Sequence, residues 1–229
     1  MCCRVFAGYA VSSGKFFTEP LEASGTLYVS GAPRAGELRG KVFVFNLPPA
    51  VNHALDIKVE KTGEQVGEYF GASLCVADVN KDGLDDLLVG APYHALREPG
   101  RTGWDEGRVY VFLSQNQGQL KEVTGERKIV GDGVNGGNFG TSIASVGDLD
   151  RDGYADIAVG APYGGEDRRG VIYIYNGNRD GISSKYSQRI LGSDINKSIR
   201  GFGISISNGM DIDNNNYNGK LAKYARKSA

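Results

Sequence analysis

Cysteine is scarce in this chain: three in 229 residues, at Cys2, Cys3 and Cys75. An odd number leaves at least one thiol unpaired within the chain, and no C-x-x-C spacing is present for zinc or thioredoxin-type chemistry. Histidine is scarcer still. His53 and His94 stand alone in the sequence, with no nucleophile elbow and no His-anchored triad, so catalysis is not expected. No run approaches the roughly 18 apolar residues that span a bilayer. The N-terminal Met-Cys-Cys-Arg-Val-Phe-Ala-Gly lacks the apolar core of roughly 7–15 residues that a signal peptide needs. Excess charge is also missing. Twenty-six basic against 27 acidic residues leave a formal charge of −1, so no global field draws nucleic acid or an anionic membrane surface.

Glycine and aromatics are plentiful by contrast, with 34 Gly, 12 Tyr and 9 Phe. That mixture predicts short strands joined by tight turns, not helices. Two turns carry a repeated carboxylate pattern. Asp78-Val-Asn80-Lys-Asp82-Gly83-Leu84-Asp85-Asp86 precedes Leu-Leu-Val-Gly-Ala-Pro-Tyr, and Asp148-Leu-Asp150-Arg-Asp152-Gly153-Tyr154-Ala-Asp156 precedes Ile-Ala-Val-Gly-Ala-Pro-Tyr. A third copy (Asp211, Asp213, Asn215, Tyr217) has Asn216 at the turn and Gly219 where the closing Asp should be.

The loops belong to a larger repeat. Phe70-Gly-Ala-Ser, Phe139-Gly-Thr-Ser and Phe202-Gly-Ile-Ser align, and Phe6-Ala-Gly-Tyr opens an earlier copy. Downstream come Gly31-Ala-Pro33, Gly90-Ala-Pro92 and Gly160-Ala-Pro162, then apolar segments beginning at Gly40, Gly107 and Gly170. Each full copy reads as strand, turn or cation loop, strand, loop, strand. A weaker fourth strand is expected before each Phe-Gly, for example Arg127–Val130. Four short strands at a period of about 60–70 residues fit the blades of a β-propeller.

Phe-Gly followed by Gly-Ala-Pro, with Asp-x-Asp/Asn-x-Asp-Gly-x-x-Asp between, resembles the FG-GAP repeats of the integrin α-subunit head. The resemblance covers roughly residues 4–217, and the stretch from Phe6 to Gly14 is closer to invertebrate members. It implies an all-β fold of FG-GAP propeller blades, about three plus the start of a fourth from a seven-bladed propeller. Repeats fall near 4–46, 66–114, 135–177 and 198–219 within residues 1–219, and the basic stretch 220–229 lies outside the fold. That stretch is either a disordered end or the product of a truncated or misjoined reading frame, which the transcript across the junction would decide. Blades lacking neighbours leave sheet faces uncovered, so the isolated chain is expected to self-associate.

Chemically, the donor set of the first loop is Asp78, Asn80, Asp82, the Leu84 carbonyl and Asp86. In the second it is Asp148, Asp150, Asp152, the Tyr154 carbonyl and Asp156. Oxygen-only donors favour a hard cation, and several carboxylates on one loop favour Ca²⁺ over Mg²⁺. Glycine at the turn permits the reversal. Ordinary Asp/Gly turns are the competing explanation, but chance turns do not recur in register. The resemblance implies that the metal braces the fold on a face away from ligand.

The opposite face carries the loops Arg34–Arg39, Tyr93–Glu106 and Tyr163–Arg169. In integrins that face meets a β subunit and a matrix or cell-surface protein ligand. Tyr93, Arg97, Arg101 and Trp104, the only Trp, are candidate contacts, unless Trp104 packs back on its own blade. Asn196-Lys-Ser198 is a glycosylation sequon, and Cys75 reads as a small core residue. Gly131-x-Gly133-x-x-Gly136 matches a dinucleotide fingerprint but leads into a strand, so it reads as a blade linker. The resulting expectation is a non-enzymatic, cell-surface adhesion module, on the extracellular side of a single-pass membrane protein whose anchor is not in this chain. The alternatives are the propeller of a secreted hydrolase or a free-standing cation-binding repeat protein.

Overall fold

Runs that alternate or are wholly apolar, each bounded by Gly or Pro, pair into three antiparallel sheets of four strands. The computed structural model describes residues 8–17, 25–47, 55–96, 103–115, 118–125 and 128–209. The first sheet is ordered β1 (Ala10–Gly14), β2 (Leu27–Ala32), β3 (Lys41–Asn46) and β4 (Asp56–Thr62). The second is β5 (Ser73–Ala77), β6 (Asp86–Ala91), β7 (Arg108–Gln115) and β8 (Gln119–Glu122). In the third, β9 (Ser142–Gly147), β10 (Asp156–Ala161) and β11 (Val171–Tyr175) are followed by a small hairpin, β12 (Gly177–Asn178) with β13 (Gly181–Ile182). Strand β14 (Gln188–Leu191) then closes that sheet against β11.

The sheets stack face to face, which is why the second strand of each repeat is the most apolar. All six residues of β6 and of β10 are buried, as a strand covered on both faces requires. Leu87 and Val89 enter a core with Val29, Val42, Val44 and Phe70, whereas Leu88 points the other way, into a core with Ile157, Val159 and Tyr173. Ala158 in turn faces a third cluster with Ile172, Ile174 and Ile190. Each such side chain contributes about 1.5–3 kcal/mol by leaving water.

The joints between sheets consist of backbone. A Cβ on Gly90 would lie 2.1 Å from the Gly140 carbonyl oxygen, and one on Gly160 would lie 1.9 Å from that of Gly203. Gly71 N and Gly140 N donate to Gly90 O (3.1 Å) and Gly160 O (3.0 Å). The Phe-Gly at 70–71 and that at 139–140 are thus each hydrogen-bonded to their own Gly-Ala-Pro and wedged against the preceding one. Only a residue without a side chain allows that approach.

Two expectations need correcting. The fourth strand of the second sheet is Gln119–Glu122, whereas of the expected Arg127–Val130 the described residues 128–130 make only an isolated bridge, from Ile129 to Val109. Register with β7 decides this, because Gln119–Glu122 pairs directly with Phe112–Gln115. Ile129 is nonetheless fully buried, so its apolar character reflects packing and not a ladder. Secondly, Phe202-Gly203 repeats the joint contacts of its predecessors, yet residues 204–209 form no strand. Gly209 N donates to Ser145 O (2.8 Å), and no ladder forms among these residues.

Candidate cation loops and partner face

The two intact carboxylate loops share the same backbone N–H bonds to their side-chain oxygens, and the first adds one from Asn80 Nδ2 to Asp82 Oδ2 (3.0 Å). Asp82 N donates to Asp78 Oδ1 (3.1 Å) and Asn80 Oδ1 (3.2 Å), and Gly83 N to Asp78 Oδ2 (2.9 Å). Asp152 N donates to Asp148 Oδ1 (3.1 Å) and Asp150 Oδ1 (3.2 Å), and Gly153 N to Asp148 Oδ2 (2.8 Å). Leu84 N and Tyr154 N likewise donate to the Oδ1 of Asp82 and Asp152. Gly83 and Gly153 turn at φ 88° and 95°, outside the range comfortable for a side chain.

The closing carboxylates come from the starts of β6 and β10. Both are fully buried and each is pinned by two backbone donors. Val79 N and Ser114 N donate to Asp86 (3.2 and 2.8 Å); Leu149 N and Gly177 N donate to Asp156 (2.7 and 3.0 Å). Burial pushes Asp86 up to about 7 and Asp156 up to about 6; these backbone bonds oppose the shift, and the neighbouring loop carboxylates add to it. Ligand atoms of Asp148, Asp150 and Asp156 converge within 4.8 Å of one another. Fixed acidic oxygens whose charged form is disfavoured by burial and by each other fit a bound cation, which would relieve both penalties.

Asp152 is not in that convergent group; its Oδ1 is engaged by Tyr154 N at 3.0 Å. In the first loop Asn80 holds the position of Asp150, so that site carries one charge less. The third copy (Asp211, Asp213, Asn215, Tyr217) lies outside the described residues.

Sequence reasoning missed several supporting residues. Asn176, just after β11, donates its side-chain amide to Asp150. The first repeat, which has no cation loop, is tied instead to Asp85: Lys15 N donates to Asp85 Oδ2 (2.7 Å) and Asp85 N to Lys15 O (2.8 Å). Lys81 of the first loop reaches the second, its ammonium 2.7 Å from where a Cβ of Gly153 would be. The doubled pattern at Asp85-Asp86 was the one available signal.

His94 does not stand alone, which corrects the sequence reading. Its Nδ1 lies 2.5 Å from Glu68 Oε2, and the Tyr110 hydroxyl donates to the same oxygen at 2.9 Å. Gln65 exchanges two bonds with the Ala95 backbone and presents its NH₂ to His94 Nε2 at 3.1 Å. Nε2 is therefore the acceptor and Nδ1 carries the proton. Beside this group the buried Arg108 pairs with Glu64 (2.8 Å) and Glu122 (2.9 Å), its guanidinium 3.8 Å over the Tyr110 ring. The ion-pair and hydrogen-bond partners lie 14 to 44 residues away in sequence, so no local pattern announces them.

On the other face Tyr93, Tyr163 and Trp104 are about half exposed. Trp104 packs on neither its own sheet nor open solvent alone. A Cβ on Gly136 would meet its ring at 2.6 Å, and Gly136 N donates to Trp104 O (2.8 Å), so the Trp lies on the linker entering the third sheet. Gly131–Gly136 is that linker, and no helix follows it. Arg97 and Arg101 lie outside the described residues. Equivalent positions of successive repeats converge around a cavity of about 180 Å³ lined by Tyr9, Tyr69, Tyr93, Asn138 and Tyr163 among others. The Arg34 guanidinium lies 6.0 Å from the Tyr69 ring. Asn196 is exposed, between β14 and Phe202. No helix among the described residues is long and apolar enough to cross a membrane.

Comparison with known proteins agrees with this geometry. The FG-GAP repeat family model matches residues 70–112 and 139–175. Integrin alpha-4 of Xenopus laevis is 41% identical over 213 residues, 93% of this chain and 19% of that protein. Integrin alpha-IIb of Mus musculus is 42% identical over 212 residues, with the same coverage. Integrin alpha-PS2 of Drosophila melanogaster is 38% identical over 218 residues, 93% of this chain and 15% of that protein. Vertebrate and invertebrate relatives thus score alike, and the chain spans about a fifth of their length. Two of its stacked sheets, with their twin loops, thus fall where the FG-GAP repeat model matches, in a chain similar across nearly its whole length to integrin alpha subunits.

Proposed function

We propose that this chain is a calcium-stabilised extracellular binding module of integrin-α type, acting without catalysis in adhesion to matrix or cell-surface ligands as a heterodimer with a β subunit. The repeats near 4–46, 66–114, 135–177 and 198–219 act as successive blades of one propeller, with 220–229 outside it. The observation that carries the reading is the coincidence of two loops, matched in their backbone-to-side-chain hydrogen bonds, inside repeats that the FG-GAP family model matches.

Asp78, Asn80 and Asp86 in one loop, and Asp148, Asp150 and Asp156 in the other, would hold the cation. The ion offsets the mutual repulsion of carboxylates fixed by the backbone, and so braces the start of the central strand. The aromatic cavity on the opposite face, lined by Tyr9, Tyr69, Tyr93 and Tyr163, is the surface offered to the β subunit or ligand, with Trp104 on the adjoining linker. Tyr faces of that kind suit cationic and apolar side chains.

Two measurements test the reading separately. A ligand bound only by the folded state at a hundred times its Kd stabilises by about 2.7 kcal/mol, so calcium should raise the melting temperature and chelator should lower it. Melting indifferent to both would sink the metal assignment. Co-expression with integrin β ectodomains should yield a co-purifying pair that Tyr93→Ala weakens; failure of every β ectodomain to co-purify would remove the adhesion reading.

A further inference from the structure

We infer that Asn196 carries an N-linked glycan, a modification resting on the extracellular reading above. Asn196-Lys197-Ser198 is the sole Asn-x-Ser/Thr triplet in the chain, and all three residues are exposed. Their local geometry goes beyond the pattern. Ser198 N–H and Ser198 Oγ–H both donate to Asn196 Oδ1, at 2.9 and 2.8 Å. The triplet is thereby closed into an Asx-turn with the hydroxyl against the amide. Both bonds use the oxygen, which leaves Nδ2 outside the turn's hydrogen bonds. The backbone of Asn196 is extended, φ −159° and ψ 127°, so the side chain projects from the end of the short turn Gly192–Ile195.

The turn's bonds span two residues, so it can form in a chain still entering a secretory lumen and persists after folding. The site stands clear of what the fold needs. Gly192 N bonds Gly170 O and Phe202 N bonds Arg169 O, fixing the segment at both ends while Asp194 to Ser198 remain at the surface. Asn196 is not among the residues lining the aromatic cavity. A sugar there leaves that opening unoccupied, and Ile195, 39% exposed beside it, offers an apolar patch for the first rings.

In the transfer step, Asn196 Nδ2 attacks the anomeric carbon of an oligosaccharide linked to a lipid pyrophosphate. The new N–C bond forms as the C–O bond to phosphate breaks. Lipid pyrophosphate leaves with the bonding electron pair, and the Nδ2 proton passes to a carboxylate of the membrane-bound oligosaccharyl transferase. No oxidation or reduction occurs.

The test places the full chain behind an added secretion leader and translates it with microsomes, with protease protection reporting entry. A peptide:N-glycosidase-sensitive mobility shift is expected for the wild type and for Ser198→Thr, and should be lost in Asn196→Gln and Ser198→Ala. Mass spectrometry after enzymatic release should read position 196 as aspartate. A protected but unshifted wild-type chain overturns the inference, as does a shift that survives in Asn196→Gln. Because the leader supplies entry, neither result depends on the adhesion reading, which the β-ectodomain experiment decides.

Discussion

Replacing Gly160 with Ala adds one methyl group at the tightest glycine joint among the described residues. Gly160 lies in β10 with ordinary strand geometry, so alanine meets no backbone penalty and the cost is steric. The new Cβ would stand 1.9 Å from Gly203 O and 2.5 Å from Ser142 Oγ. Carbon–oxygen contacts settle at about 3.3–3.6 Å, so the Phe202-Gly203 backbone must retreat by about 1.5 Å. That movement breaks the Ser142 Oγ–H bond to Gly203 O, now 2.8 Å. Overpacking costs about 1–3 kcal/mol and the lost hydrogen bond about 1 more. At about 2–4 °C per kcal/mol for a chain of this size, the melting temperature should fall by about 10 °C. Gly118→Ala is the control: its φ is +74° with nothing within 4 Å, and conformational strain alone costs about 1 kcal/mol. Urea unfolding followed by circular dichroism compares the two. If Gly160→Ala costs no more than Gly118→Ala, the backbone joint does not hold the sheets together.

Burial pushes the Cys75 thiol up to about 12, so the folded chain should resist alkylation at pH 8 at this residue while the urea-unfolded chain reacts. Between pH 9 and about 12 the unfolded thiol ionises and the folded one does not, so this group's contribution falls as pH rises, at about 1.4 kcal/mol per unit; rapid native labelling of Cys75 would contradict the packing. Arg108→Lys cannot bridge Glu64 and Glu122 together, and should cost about 1.5–3 kcal/mol in urea unfolding; unchanged stability would show that the buried guanidinium is not a clamp. Trp104→Ala should lower stability by less than about 1 kcal/mol, since half the ring is exposed, yet reduce β-subunit affinity by a hot-spot increment of about 2 kcal/mol, or roughly thirtyfold. Equal losses in both would mean that its contact with Gly136 is its main role.

Repetition made the fold legible. Apolar strands and their glycines recur in register, so three sheets and two loops could be placed from sequence alone. What escaped was non-repeating or non-local. Gln119–Glu122 has a single buried apolar residue, Leu120, and offers less hydrophobic signal than the Ile129 segment that proved not to be a ladder strand. His94 and Arg108 belong to a network assembled from the linker Glu64–Glu68 and two strands, and periodicity says nothing about such distant partners. The candidate ligands were readable because they share one loop. Asn176 and the backbone donors at Ser114 and Gly177 were not, because they arrive from the end of the third strand of each sheet. Asp85 shows the limit of pattern matching: its position is Ala155 in the other loop, and its partner is a repeat without a cation loop.

The glycine joints also separate what can vary from what cannot. Sheet spacing is set by carbonyl against α-carbon, with no side chain interposed, so substitution within neighbouring cores cannot readily reset it. Insertions between Pro92 and Gly107 or between Pro162 and Gly170 leave both joints of a sheet in place, whatever their length or composition. The loops on that face can therefore diversify on a frame of constant pitch, and a change in their surface need not be accompanied by a new fold.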